Sequence, residues 1–236
     1  MRFANPLVPA TLVRRYKRFL ADVRFDDGEE AVAHCANSGS MLGLAVPGAR
    51  VWLSPSPNPK AKLGWRWELE ETAGGLVGIN TSHPNALVAE AIAAQRIPEL
   101  AGYGSVRREV AYGTNSRIDL WLSGAGPDCL VEVKNVTLRR GTLAEFPDSV
   151  TSRGAKHLVE LAAQVREGRR AVMLFCIQRM DCTGFAVAGD LDAAYAAAFR
   201  AAQVAGVETY AYTCTLTPES ITLDRAVPML VCATKD

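Results

Sequence analysis

The sequence predicts an α/β protein in two parts: a small β-barrel or sandwich over residues 1–80, and a mixed sheet flanked by helices over residues 81–236. Three observations carry that prediction. Residues 1–80 hold short alternating apolar and polar runs, broken repeatedly by proline and glycine, which is the pattern of a compact all-β unit. Beyond Asn80 the apolar spacing turns helical, beginning with His83-Pro-Asn-Ala-Leu-Val-Ala-Glu-Ala-Ile. From there the runs follow in the order helix, three strands, helix, strand, helix, strand, and that order folds as one mixed sheet with helices packed on it.

The N-terminal runs are residues 12–23, 30–34, 51–53, 65–69 and 76–79, with Ser54-Pro-Ser-Pro-Asn-Pro forming a surface loop by composition. The first helix starts near Pro84, because proline lacks the N–H that the first turn leaves unbonded. Strands are expected at 106–112, 117–122 and 129–137, a helix at 152–167, a strand at 171–178, an alanine-rich helix at 191–205 and a strand at 207–215. The balance of 49% hydrophobic and 22% charged residues suits a buried core, and a net charge of +1 means that any nucleic-acid binding must come from local patches. The six cysteines form no Cys-x-x-Cys pair and several sit in apolar runs, so they read as reduced thiols of a cytoplasmic protein rather than as a zinc site. Prolines interrupt the N-terminus where a signal peptide needs an apolar run, and no segment approaches a membrane span.

One hairpin carries ionisable residues where a strand should be apolar. Ser116-Arg-Ile-Asp-Leu-Trp-Leu is followed, after a turn, by Cys129-Leu-Val-Glu-Val-Lys-Asn-Val. Strand alternation places Leu130, Glu132, Lys134 and Val136 on one face. A turn centred on Ala125-Gly126 pairs Leu120 with Val131 and Ile118 with Val133, apolar with apolar, and thereby sets Asp119 across from Glu132. Cross-strand Cβ atoms lie roughly 4.5–5.5 Å apart, so two such carboxylates can share one hard cation, Mg²⁺ or Mn²⁺, with Lys134 beside it. That is the donor set of metal-assisted phosphodiester hydrolysis. A structural cross-strand ion pair on a solvated face has the same spacing. Glu109 joins the group if the preceding loop is centred on Thr114, and Val110 takes its place if the turn is centred on Thr114-Asn115. On the 152–167 helix, Arg153, Lys156 and His157 share one face at the N-terminus, where the helix dipole also favours an anion, and they are candidate phosphate contacts.

Asp119 with Glu132-Val-Lys134, in this order of elements, resembles the PD-(D/E)xK nuclease core. Longer strings resemble the sugar fermentation stimulation protein A (SfsA) family: Arg15-Tyr-Lys-Arg-Phe-Leu-Ala-Asp-Val, Asn37-Ser-Gly-Ser-Met, Val131-Glu-Val-Lys-Asn-Val-Thr-Leu and Phe146-Pro-Asp-Ser-Val-Thr-Ser-Arg-Gly-Ala-Lys-His-Leu. The resemblance implies an OB-fold-like N-terminal barrel, a restriction-endonuclease-like C-terminal domain, and DNA binding tied to sugar, particularly maltose, metabolism. It implies that Asp119, Glu132 and the Val133 carbonyl hold Mg²⁺, that Lys134 assists water, and that Glu90 on the first helix adds an acidic group. In an OB-type barrel, Arg14, Arg15, Lys17 and Arg18, with Tyr16 and Phe19 between them, form a candidate DNA-binding surface. Arg139 and Arg140 extend the candidate phosphate path, whereas Trp65 and Trp67 read as packing residues. Two functions follow from the resemblance: a Mg²⁺-dependent DNA nuclease, or a non-catalytic and largely sequence-nonspecific DNA-binding regulator on the same scaffold.

Overall fold

The computed structural model describes residues 1–58, 60–113, 116–124 and 126–230. The turn residues Thr114, Asn115 and Ala125, on which the alternative hairpin registers are centred, lie outside the described residues, as does Cys232. The five other cysteines are free and buried.

Six strands form the N-terminal unit: β1 (Val8–Tyr16), β2 (Leu20–Phe25), β3 (Glu30–Cys35), β4 (Arg50–Pro55), β5 (Trp65–Thr72) and β6 (Gly75–Gly78). They run in the order β3-β2-β1-β4-β5-β6, and a parallel pairing of β3 with β5 closes five of them into a barrel. Closure removes the open edges and leaves an interior of Ala10, Leu12, Val23, Leu53 and Trp67. The run 12–23, expected as one segment, is instead a hairpin. Lys17 and Arg18 turn it at φ 48° and 62°. Neither residue is a usual turn former, so no Gly, Asn or Pro marks the turn in the sequence.

The second unit comprises α1 (Pro84–Ala93), a 3-10 turn (Pro98–Leu100), β7 (Ser105–Tyr112), β8 (Ser116–Ser123), β9 (Cys129–Val136), β10 (Leu138–Arg140), β11 (Leu143–Phe146), α2 (Ser152–Arg166), β12 (Arg170–Ile177), β13 (Gly184–Val187), α3 (Ala193–Val204), β14 (Glu208–Thr217), β15 (Ser220–Ala226) and β16 (Met229–Leu230). The main sheet has the order β15-β14-β12-β9-β8-β7, and β10-β11-β13-β16 make a second, small sheet. The short strands were not anticipated, since a run of two to four residues shows no period. Alternation along β9 and β12 divides the core. Val131 and Leu174 pack with Leu87 and Val88 of α1, while Leu130, Met173 and Phe175 pack with Leu158 and Leu161 of α2 and Phe199 of α3.

The chain's first residues leave the barrel and lie along β15, where Phe3 N donates to Glu219 O at 3.0 Å and Ile221 N donates to Met1 O at 3.0 Å. The barrel docks on the second unit through β6, whose Gly78 N donates to Gln178 O at 2.9 Å. A Cβ at Gly78 would stand 2.4 Å from Gln178 Oε1 and 2.9 Å from its Cβ. Gly78→Ala is therefore expected to cost about 1–3 kcal/mol by overpacking. Each kcal/mol lowers Tm by roughly 2–4 °C in a chain of this size, and a thermal melt checks the result.

Candidate functional site

The β8–β9 ladder runs from Leu122↔Cys129 to Leu120↔Val131. The same register continued sets Asp119 opposite Glu132, but there the Asp119 side chain takes the backbone donor: Val133 N–H bonds to Asp119 Oδ2 at 2.7 Å. On the other side, Arg108 pairs with Leu120 and Val110 with Ile118, which sets Glu109 opposite Asp119 and resolves the open register in favour of Glu109. Glu109 is held at φ 53°, a left-handed conformation that costs a non-glycine residue on the order of 1 kcal/mol. The alternation changes at this point. Leu120 and Leu122 face the α1 core, whereas Ile118 and Tyr112 join the α2/α3 core. Glu109, Asp119 and Glu132 thus form a row across three neighbouring strands, where the hairpin rolls over.

The row opens into a cavity of about 690 Å³, also lined by Thr81, Asn85, Ser116, Arg117, Val133, Lys134, Arg153, Lys156 and His157. Asn85, in the first turn of α1, donates to Asp119 Oδ1 at 2.7 Å and reaches Glu109 Oε1 at 3.3 Å. The barrel fixes that turn. Buried Glu68 of β5 accepts from Ser54 Oγ at 2.7 Å and Asn80 Nδ2 at 2.9 Å, and it meets His83 Nε2 at 2.7 Å, immediately before α1.

Glu132 is only 3% exposed. Burial pushes its carboxyl up, but the His157 hydrogen bond and the Lys134 charge outweigh it and hold the carboxyl below the usual range. Lys134 Nζ donates to Glu132 Oε1 at 2.6 Å, and His157 Nδ1 bonds to the same oxygen. Glu132 Oε2 is buried with no hydrogen-bond partner. Asp119 behaves differently: burial, then the Glu132 charge, push it up to about 6 against the Val133 N–H and Lys134. Two adjacent carboxylates, one of them with an orphaned buried oxygen, in a cavity that ammonium and guanidinium groups also line, fit a hard divalent cation. Among the described residues no group of three or more His, Cys, Asp or Glu converges. A cation held here would take one or two carboxylates and complete its shell with waters and a phosphate, which is a mode open to Mg²⁺.

The cavity gathers Asp119, Glu132, Val133, Lys134, Arg153, Lys156 and His157, and it excludes Glu90. Glu90 instead pairs with the Met1 ammonium at 2.8 Å and with Arg96 at 3.4 Å. It lies five residues beyond Asn85, about 140° further around the helix. Asn85 is the α1 residue that meets the acidic row, and its neutral amide carries no charge to mark it in the sequence. His157 is buried on Glu132 rather than presented to solvent. Lys156 lies 3.5 Å from Glu160 one turn on. In the barrel, Arg14 pairs with Asp22 at 2.7 Å and stacks over Tyr16, and Arg15 is tied to the carbonyls of Asn37 and Gly39 at 2.9 and 3.0 Å. Lys17, Arg18 and the half-exposed Phe19 form the solvent-facing tip of that hairpin. Arg140 pairs with Asp190 and Glu145, and Arg139 with Asp181. Trp67 is fully buried and Trp65 packs on Phe25, as their alternation suggested.

Two family descriptions match this chain: the SfsA N-terminal OB domain over residues 13–79 and the sugar fermentation stimulation protein RE domain over residues 82–220. A sugar fermentation stimulation protein homolog of Paramagnetospirillum magneticum is 60% identical over 97% of this chain and 98% of its own length. A homolog of Rhodospirillum centenum is 61% identical over 96% and 98%. The structure of Pyrococcus furiosus SfsA in complex with Ca²⁺ superposes with a TM-score of 0.89 at 27% identity, covering 98% of both chains.

Proposed function

This chain belongs to the SfsA family, whose name ties it to stimulation of sugar fermentation, and from that premise we propose that its second domain is a Mg²⁺-dependent phosphodiesterase acting on DNA. The observation that carries the reading is the unpartnered, buried Glu132 Oε2 beside Asp119, in a cavity that also holds Arg117, Lys134, Arg153 and Lys156. The Pyrococcus furiosus relative is in complex with Ca²⁺, so a hard divalent cation is a ligand that a protein of this fold accepts. Asp119, Glu132 and the Val133 carbonyl would hold the ion. When bound, it supplies charge neutralisation at a scissile phosphate and a more acidic water. The chain's own residues do the rest. Arg117, Arg153 and Lys156 draw in and orient the phosphodiester. Lys134, fixed by Glu132, orients water and offsets the charge that grows on the phosphoryl oxygens. The exposed Lys17–Arg18 tip offers the barrel's contact to the DNA backbone, and a role in sugar metabolism would be exercised through that DNA.

The test is cleavage of linear, supercoiled, branched and single-stranded DNA, and of RNA, with Mg²⁺ or Mn²⁺ against a chelator. Lys134→Ala is expected to lower the cleavage rate at least about 10²-fold while cation affinity changes only a few-fold. No product from any substrate with either ion would sink the reading. The internal pairing of Glu132 with Lys134 and His157 favours a second reading, a regulator that grips DNA without cutting it. Its mark would be binding that falls steeply with salt and is unchanged in Lys134→Ala, with no product.

A further inference from the structure

We propose that His157 is a positioning residue that fixes Glu132 for cation binding rather than a phosphate contact, an inference that rests on the cation site proposed above. His157 lies in the second turn of α2, a helix started by Thr151, whose Oγ1 accepts from Gly154 N at 3.1 Å. The residue is 5% exposed, so its ring has little access to a phosphate. Both ring nitrogens are committed. Nε2 accepts from Arg153 Nε at 3.3 Å, and Nδ1 meets Glu132 Oε1. A neutral imidazole that accepts at Nε2 carries its proton on Nδ1, so this network assigns Nδ1–H as the donor to Glu132.

The consequence lies in the carboxylate. Oε1 receives two donors, Lys134 Nζ at 2.6 Å and His157 Nδ1, while Oε2 receives none. Rotating the carboxylate by half a turn regains nothing, and any intermediate rotation breaks both bonds. Glu132 is thus held with one oxygen saturated and the other reserved for an ion. Lys134 cannot do this alone, because its ammonium ends a flexible stem, whereas the imidazole is clamped by Arg153 and by burial. Hydrogen-bond partners of this kind orient metal-binding carboxylates, and their loss typically weakens metal affinity by about 10–100-fold.

Two variants separate positioning from bulk. In His157→Asn the side-chain NH₂ falls near the Nδ1 position and can still donate to Glu132. In His157→Gln the amide reaches the Nε2 position and leaves Oε1 to Lys134. Calorimetric titration of Mn²⁺ alone into the full chain is expected to give wild type and His157→Asn affinities within about 3-fold of each other, with His157→Gln weaker by about 10–100-fold. Nitrogen-15 imidazole shifts of metal-free wild type at mildly alkaline pH should report a proton on Nδ1 and none on Nε2, a readout that needs no variant to fold. Equal affinity in wild type and His157→Gln overturns the inference. So does an Nε2–H tautomer, or an equal loss in both variants that tracks their melting temperatures. If wild type binds no Mn²⁺, the cation site and this inference fall together. If it binds Mn²⁺ but cuts no nucleic acid, only the phosphodiesterase reading falls.

Discussion

Glu132→Gln is expected to abolish Mg²⁺ and Mn²⁺ binding and to lower DNA cleavage by about 10³-fold or more, while the fold stays within about 1–2 kcal/mol of wild type. The substitution keeps the volume, and the amide oxygen can still accept from Lys134 and His157. What it removes is the charge and the unpartnered Oε2, which becomes an NH₂ that cannot ligate a cation. Glu132→Ala is a poorer test. It leaves Lys134 and His157 without their acceptor, and breaking a buried pair in this way costs about 3–5 kcal/mol. A second sign accompanies the loss. Because the Glu132 charge is one of the influences that raise Asp119, its removal should bring the Asp119 carboxyl down from about 6. Calorimetry with each ion and a thermal melt of the same preparation decide the matter. Cation affinity retained in Glu132→Gln would remove the carboxylate pair from the proposed chemistry.

The hairpin was legible because its apolar residues leave one sensible register: Leu120 against Val131 is the pair that forms, and it puts Asp119 across from Glu132. Glu109 stays open in the sequence because its register depends on turn residues that carry no unambiguous type, and its positive φ has no glycine or asparagine to signal it. Glu90 lies outside the cavity for a different reason. A helix position supplies a distance along the chain, but the side that faces the sheet is set by packing, and the Met1 ammonium that claims Glu90 comes from the far end of the sequence. His157 reads either as one cation of a basic face or as a satisfied structural histidine, and sequence cannot choose because Glu132, on which it is buried, lies 25 residues away. Punctuation and alternation point to a small barrel or sandwich and the family resemblance to the barrel, whereas the Lys17–Arg18 turn breaks the usual turn chemistry and carries no signal.

Glu70→Gln should stabilise the protein at neutral pH through a group remote from the cavity. Glu70 of β5 is 2% exposed, and both of its oxygens lean on a single donor, the Ala45 N–H, at 3.1 and 3.0 Å. Burial, only partly offset by that N–H and by the Arg179 charge, pushes its carboxyl up from 4.5 to about 7. A carboxyl whose folded pKa is raised contributes fully below its unfolded value, and the contribution is lost as pH rises through the folded one. Wild type should therefore lose about 3 kcal/mol relative to Glu70→Gln between pH 4.5 and about 7, with the gap constant above that window. At roughly 2–4 °C per kcal/mol the melting temperatures should separate by about 6–12 °C. The glutamine can accept from Ala45 as the acid does, so the two proteins should melt alike at the acidic end. Parallel melting curves across the whole range would show that Glu70 ionises without penalty. Since Glu70 lines no part of the cavity, Mn²⁺ affinity at neutral pH should be the same in both proteins. Barrel stability and cation binding are thereby separable: Glu70→Gln moves the first and leaves the second, the converse of Glu132→Gln.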